Sequence, residues 1–230
     1  VTDRDGITWA EAVEAAEATG ADSVDLLDQV ATFVEVTVEG GAALRAREFP
    51  VGLVSRCWAR ARYRVEIGPD PLAEEVGDPM LTAGFLILAA AKQARFSGHR
   101  AVVASVLAEP GVGRSQRVVL SLELAAASDE ALVGLASAIV RQAEDRATRD
   151  ATSVAFHGEW ADPAVEFDAG LAQWLAVEHL EGDWPTLESP AHAEAAVFAR
   201  AGVSTALLAV RAEGPGRVSE ADRRQAVYAL

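Results

Sequence analysis

The chain has 230 residues, half of them hydrophobic, enough to bury one good core and part of a second. Its 35 acidic residues against 20 basic ones give a formal charge of −15, which excludes the basic footprint that nucleic acid or an anionic membrane demands. The acidity is read as a solubility device, and the single cysteine, Cys57, excludes an intrachain disulfide and a tetrathiolate metal site.

Thr8 with Glu11 predicts a capping box opening a surface helix through Thr19, with Trp9 and Val13 on its apolar side and Gly20 as stop signal. From Phe33 to Gly68 the chain reads FVEVTVEGGAALRAREFPVGLVSRCWARARYRVEIG. This divides into a β run (Phe33 to Val38), a Gly40-Gly41 break, a short helix ending before Pro50, a second β run (Val51 to Val54) and a strand. In that strand Ala61, Tyr63, Val65 and Ile67 point one way and Arg60, Arg62, Arg64 and Glu66 the other. Asp78 and Pro79 then open a helix to about Arg95, expected to turn Leu81, Phe85, Leu88 and Ala89 inward.

Two β runs follow, Ala101 to Ala108 and Arg117 to Leu124, joined by the turn chemistry of Glu109 to Gly113. Ser128 or Asp129 caps a helix carrying Leu132, Leu135, Ala136, Ile139 and Ala143 at helical spacing, and a strand covers Thr152 to Glu159. The order β-α-β-β-α-β is the ferredoxin-like, split βαβ motif. Beyond it, Phe167-Asp168 begins a helix with Leu171, Trp174 and Leu175 inward, and Ser189-Pro190 opens another that Gly202 ends. Val203 to Val210 is an apolar strand, and Ser219 caps a terminal helix. Trp58, Trp160, Trp174 and Trp184 are read as core and junction packing. The longest apolar run, Leu81 to Ala91, is too short to span a bilayer, and no secretory signal follows Val1, so a cytoplasmic, non-membrane protein is expected.

The stretch from Phe33 to Val65 resembles a segment of the zinc-dependent amidohydrolases that include allantoate amidohydrolase and N-carbamoyl-L-amino-acid hydrolase, in the aminoacylase and carboxypeptidase superfamily. The family pattern FVELHIEQGPVLE…PVGVV…RYRV lies on it without a gap. The Asp3 to Thr8 lead-in resembles what precedes that pattern in the family, so the likeness begins mid-chain and roughly the family's first half has no counterpart. The resemblance implies a ferredoxin-like lid and dimerisation domain at 57–160, inserted in a partial α/β catalytic-type domain made of 1–56 and 161–230. The fold class expected is therefore α/β with an α+β lid.

The resemblance also implies chemistry that this chain does not carry. The family's metal-binding histidine of HIEQG falls on Thr37, and that of GAGHDA on Ala193, with His192 one place early; a one-residue shift on a helix turns a side chain by about 100°. The final SHSPEE-like loop reads GPGRVSEAD over Gly214 to Asp222, without histidine, and the NHAGTTPM-like loop reads Pro71 to Met80, again without one. The arginine of a DIR pattern, which would bind a substrate carboxylate, falls on Ala125. Glu35 and Glu39 match the family pattern but, without histidine at 37, are also read as the polar edge of the cleft.

His99, His157, His179 and His192 lack HExxH spacing and are read as solvated or capping residues. The other reading is a rebuilt metal site from Glu178-His179 with His192 and Glu194. Gly111-Val112-Gly113 and Gly214-Pro215-Gly216 are loop punctuation rather than phosphate cradles. No catalytic, cofactor-binding or metal-ligating residue and no cofactor is assigned. Two functions follow: a catalytically degenerate homologue serving as an interaction or regulatory module, or one part of a divided or truncated hydrolase completed by a partner chain. A homodimer through the lid is expected, with a partner chain over the truncated layer as a further expectation.

Overall fold

The computed structural model describes residues 6–15, 26–179, 184–191, 193–214 and 217–228, except the side chains of 26, 28, 178, 179, 225, 227 and 228. Residues 1–31 and 32–230 are two compact units. In the first, the Glu11 carboxylate accepts from the Thr8 N–H at 2.7 Å and the Thr8 hydroxyl from the Glu11 N–H at 3.2 Å. This capping box opens α1 (Trp9–Ala15). Trp9 is exposed and nothing on α1 is buried, as befits a surface helix; the Gly20 stop lies outside the described residues.

In the second unit the chain runs β1 (Thr32–Val38), α2 (Ala43–Ala46), β2 (Val51–Cys57), β3 (Ala59–Pro69), α3 (Pro79–Ser97), β4 (Arg100–Pro110), β5 (Ser115–Ala126), α4 (Asp129–Arg149), β6 (Thr152–Asp162), β7 (Val165–Glu166), α5 (Ala169–His179), β8 (Thr186–Ser189), α6 (Ala195–Arg200), β9 (Ser204–Val210) and α7 (Glu220–Tyr228). Two sheets result. The first has β1 parallel to β9, β9 antiparallel to β2, and β2 parallel to β8 and, at its end, antiparallel to β7. The run of apolar residues along β9 is explained by burial on both faces. Leu207 and Ala209 join a core with Leu44, Phe167 and Ala196, while Leu208 and Val210 join another with Val51, Leu53 and Ala226.

The second sheet is antiparallel throughout, in the order β4-β5-β3-β6, and completes the ferredoxin-like βαββαβ unit inserted in the α/β frame. The alternation along β3 sorts as expected: Ala61, Val65 and Ile67 are buried with Val118, Leu120, Leu122 and Leu124 of β5 against α3 and α4, and Tyr63 is half-buried beside them. On the other face Arg62 pairs with Glu123, which lies directly opposite it on β5, and the guanidinium groups of Arg60 and Arg62 sit 5.2 and 5.5 Å from the Trp160 ring centroid. Trp160 is therefore part of the open sheet face rather than the core.

The helices are fixed by caps. Asp78 accepts from the Met80 N–H at 3.0 Å with Pro79 in the first turn, and Ser128 accepts from the Ala131 N–H at 3.2 Å. Gly98, at φ 71°, ends α3 in the left-handed conformation that costs a residue without Cβ nothing. Between the helices and β6 lies a buried polar knot. The Thr82 hydroxyl donates to the Asp150 carboxylate at 2.9 Å and lies 2.8 Å from the Thr152 hydroxyl, while Arg146 also donates to Asp150.

Three expectations are corrected. On α3 the buried positions are Thr82, Ala83, Leu86, Ala89, Ala90 and Ala94, whereas Leu81 and Leu88 are 60% and 72% exposed. The helix is apolar on nearly every side, so its sequence gave no phase, and close packing against α4 and the sheet selects the alanine side. Ser189-Pro190 does not open a helix: residues 186–189 pair with β2 as β8, and the helix begins at Ala195. On α5 Leu175 is buried but Trp174 is half exposed. No described helix is long and apolar enough to cross a membrane.

Because Leu120 is fully buried in the middle of the four-stranded core, Leu120→Ala is expected to lower the unfolding free energy by about 3 kcal/mol. Chemical denaturation monitored by circular dichroism would check this.

Candidate functional site

Two of the positions that the resemblance places in a metal centre, Thr37 and Ala193, come together around the carboxyl end of β1. Thr37 stands opposite Ala209 of β9 near that end, where parallel strands of α/β sheets present their binding crevices. The chain then turns through Gly40 and Gly41 into α2. From the other side α6 is held over β1 by Phe198 stacked on Phe33, with ring centroids 3.8 Å apart, and this puts Ala193 on the same cavity as Thr37. That cavity has a volume of about 430 Å³ and is also walled by β8, through Glu188 and Ser189, and by Arg100 of β4.

The carboxylates in and behind this wall have other partners. Glu39 folds back onto the start of α2, accepting from the Ala43 N–H at 2.6 Å and the Leu44 N–H at 3.1 Å. A Cβ on Gly41 would sit 3.2 Å from the same Glu39 oxygen, so the glycine leaves room for that turn. Glu35 accepts from the Ala195 N–H, the first residue of α6, at 2.6 Å. Glu188 accepts from the Trp58 indole N–H at 2.8 Å and has the Arg56 guanidinium 3.8 Å away. Each acid thus satisfies backbone or indole donors that would otherwise be unpaired.

This donor set does not fit a catalytic zinc. Zinc takes imidazole, thiolate or carboxylate ligands in tetrahedral array, and the positions in question hold a neutral hydroxyl and a buried methyl group, Thr37 and Ala193. Among the described residues no group of three or more His, Cys, Asp and Glu side chains could hold a metal ion. Cys57 is buried, and burial pushes its thiol up to about 11, with the Glu35 carboxylate adding to the rise and Arg60 opposing it. It is a neutral core thiol at physiological pH.

The two histidines whose side chains are described stand on different elements. His99 lies edge-on to Trp58, its Nδ1 buried without a hydrogen-bond partner, and His157 is exposed on the open face of the second sheet. His192 and the His179 side chain lie outside the described residues, as do Pro215 and Gly216 of the final loop.

Sequence reasoning missed Arg100. It stands directly across from Ala125 in the β4–β5 ladder, and a strand-by-strand reading does not reveal cross-strand neighbours. Ala125 itself is buried and carries no charge.

If Glu39 is a helix-capping group, Glu39→Ala should lower thermal stability by about 1 kcal/mol, while Glu39→Gln, which keeps an acceptor, should lose less. A chelator should leave the melting midpoint of all three proteins unchanged. Differential scanning calorimetry with and without EDTA measures both.

No protein-family model matches this chain, and no curated protein matches it. Solved structures do. AtUAH in complex with (S)-hydroxyglycine superposes with a TM-score of 0.82 at 20% identity, covering 100% of this chain and 60% of that one. A hydantoinase/carbamoylase family amidase from Burkholderia vietnamiensis gives 0.81 at 15% identity, covering 100% and 59%. One from Burkholderia ambifaria gives 0.76 at 18% identity, covering 100% and 59%. The chain spans about three fifths of the length of these structures, and over that span it has the fold of the hydantoinase/carbamoylase amidases.

Proposed function

We propose that this protein is a catalytically degenerate homologue of the zinc-dependent amidohydrolases, a pseudoenzyme of that peptidase-like superfamily serving as an interaction or regulatory module. The observation that carries the reading is the cleft itself. Where the resemblance calls for metal ligands there are Thr37 and Ala193, and the nearby Glu35 and Glu39 are engaged with helix N–H groups. A hydrolase of this type needs a metal-activated water and a polarised carbonyl, and none of these side chains supplies either. The inserted four-stranded domain and its frame are retained, which suits a role in assembly.

The expected assembly is a homodimer through the four-stranded domain. β4 is an edge strand with an unpaired backbone edge in the described structure, and it exposes Val102, Val106 and Leu107. Leu81, Leu88 and Phe96 are exposed on α3, which packs beside it. Free apolar edges of this kind are paired or prone to aggregate, and a two-fold contact satisfies both copies at once. The alternative, a divided hydrolase completed by a partner chain, draws support from the span of three fifths and from β1 standing at the end of its sheet. Zinc uptake and amide hydrolysis appearing only on addition of a chain carrying the absent ligands would favour it.

Two outcomes follow. The purified protein should hold no stoichiometric zinc and should not hydrolyse allantoate or N-carbamoyl amino acids; about one zinc per chain, lost in His192→Ala, would overturn the reading in favour of a rebuilt site. Light scattering at micromolar concentration should give a dimer mass, and Phe96→Glu with Leu107→Lys should shift it to the monomer. A soluble wild-type monomer would contradict the dimer.

A further inference from the structure

A second cavity, of about 510 Å³, lies away from the cleft of Thr37 and Ala193 and shares only Val54 with it. Its floor is the stretch of β2 from Leu53 to Arg56, and α5 forms one wall. Strand register marks the two ends: Thr186 of β8 stands opposite Leu53, and Glu166 of β7 stands opposite Arg56. Three strand rises separate those positions, about 10 Å. Strands of ordinary length run roughly 17–20 Å, so the space is too short for an added peptide strand, and its volume is that of a small-molecule site.

The apolar lining is open because the side chains along it are small. Ala169, Ala172 and Ala176 recur at helical spacing on α5. Ala172, Ala176 and Trp184, which precedes β8, pack on the core that contains Leu53, and Val177 at the rim is left 69% exposed.

Every charge in the lining is matched within the fold. The Arg56 guanidinium donates to the Glu166 carboxylate at 2.7 Å and to the Ala127 carbonyl at 3.4 Å. The Asp168 carboxylate accepts from the Gly170 and Leu171 N–H groups at 2.8 and 3.1 Å and from the Ser204 hydroxyl at 2.7 Å. One positive group thus stands against two negative ones, in a chain of net charge −15, which disfavours an anion. A cation would have to draw Glu166 from Arg56, and that carboxylate is 75% exposed, where water screens it. The groups left over are neutral. The Gln173 carboxamide and the Thr186 hydroxyl have no partner among the described residues, and the Ser55 hydroxyl donates to the Leu187 carbonyl at 3.1 Å but keeps its lone pairs. All three residues are exposed, which places them at the mouth.

We propose that this cavity binds a small uncharged molecule with an aromatic body and one terminal polar group that both donates and accepts, a primary amide or an alcohol. The ring lies along the alanines of α5 beside Trp184, and the polar group meets Gln173 and Thr186 at the mouth. The site takes no residue from the cleft that the amidase resemblance concerns and stands apart from the reading of its chemistry.

The test is isothermal titration calorimetry of the full chain at neutral pH with three probes that share one body: 3-phenylpropanamide, 3-phenylpropanoate and 3-phenylpropylamine. The amide should bind, and the acid and the amine should bind more weakly. Gln173→Ala should weaken the amide about fivefold, the worth of one neutral hydrogen bond. Ala169→Phe, which fills the groove from an exposed position, should abolish binding, and Thr37→Val in the cleft should leave it unchanged. No binding of the amide at millimolar concentration, binding of the acid or the amine as tight as that of the amide, or an affinity indifferent to Gln173→Ala and Ala169→Phe would overturn the proposal. Loss of binding in Thr37→Val would overturn it too, because the amide would then sit in the cleft.

Discussion

Everything in residues 32–230 depends on one crossing of the chain. β2 belongs to the first sheet and β3 to the second, and only Trp58 separates them. A strand pair this close leaves no slack, so the position of one sheet relative to the other is set within a residue. Side chains around the crossing then hold it: the Trp58 indole on Glu188, Arg56 on Glu166 and on the Ala127 carbonyl, and Arg200 on Asp162 where β6 leads back to β7. Individually such half-exposed ion pairs contribute little. Together with the covalent crossing they bring Arg100 of one sheet onto the cavity formed by the other.

The same economy of donors and acceptors explains the cleft. The hydrogen bonds a carboxylate accepts fix where its oxygens point. In this chain Glu39 saturates the first N–H groups of α2, and Glu35 reaches the first N–H of α6. Those bonds satisfy helix ends that would otherwise be left open, which gives both acids a structural role. The fold shared with the hydantoinase/carbamoylase amidases is thus compatible with a cleft lined by Thr37 and Ala193, because the residues that define the fold are apolar alternations and caps.

The amino-acid sequence by itself determined the ferredoxin-like unit. The alternation of Ala61, Val65 and Ile67 with Arg60, Arg62 and Arg64 has a period of two, which permits a single facing for each side chain once one side is covered. The antiparallel pairing of the strands that hold Val102 and Glu123, the Thr8–Glu11 box and the Asp78-Pro79 helix start were equally readable, because each is a local pattern in which a residue's role is fixed by neighbours a few positions away.

Only the tertiary structure decided the remainder. α3 is apolar around most of its circumference, so which side is buried depends on what packs against it, and the alanines rather than Leu81 and Leu88 face inward. Residues 186–189 are a strand because β2 offers them an edge, despite the Ser-Pro that follows. Glu35 acts on a residue 160 positions away, and Arg100 stands across from Ala125 by virtue of ladder register alone. In each case the partner lies on another element, and a hydrogen-bonding or charged group acquires its role from whatever the fold brings beside it.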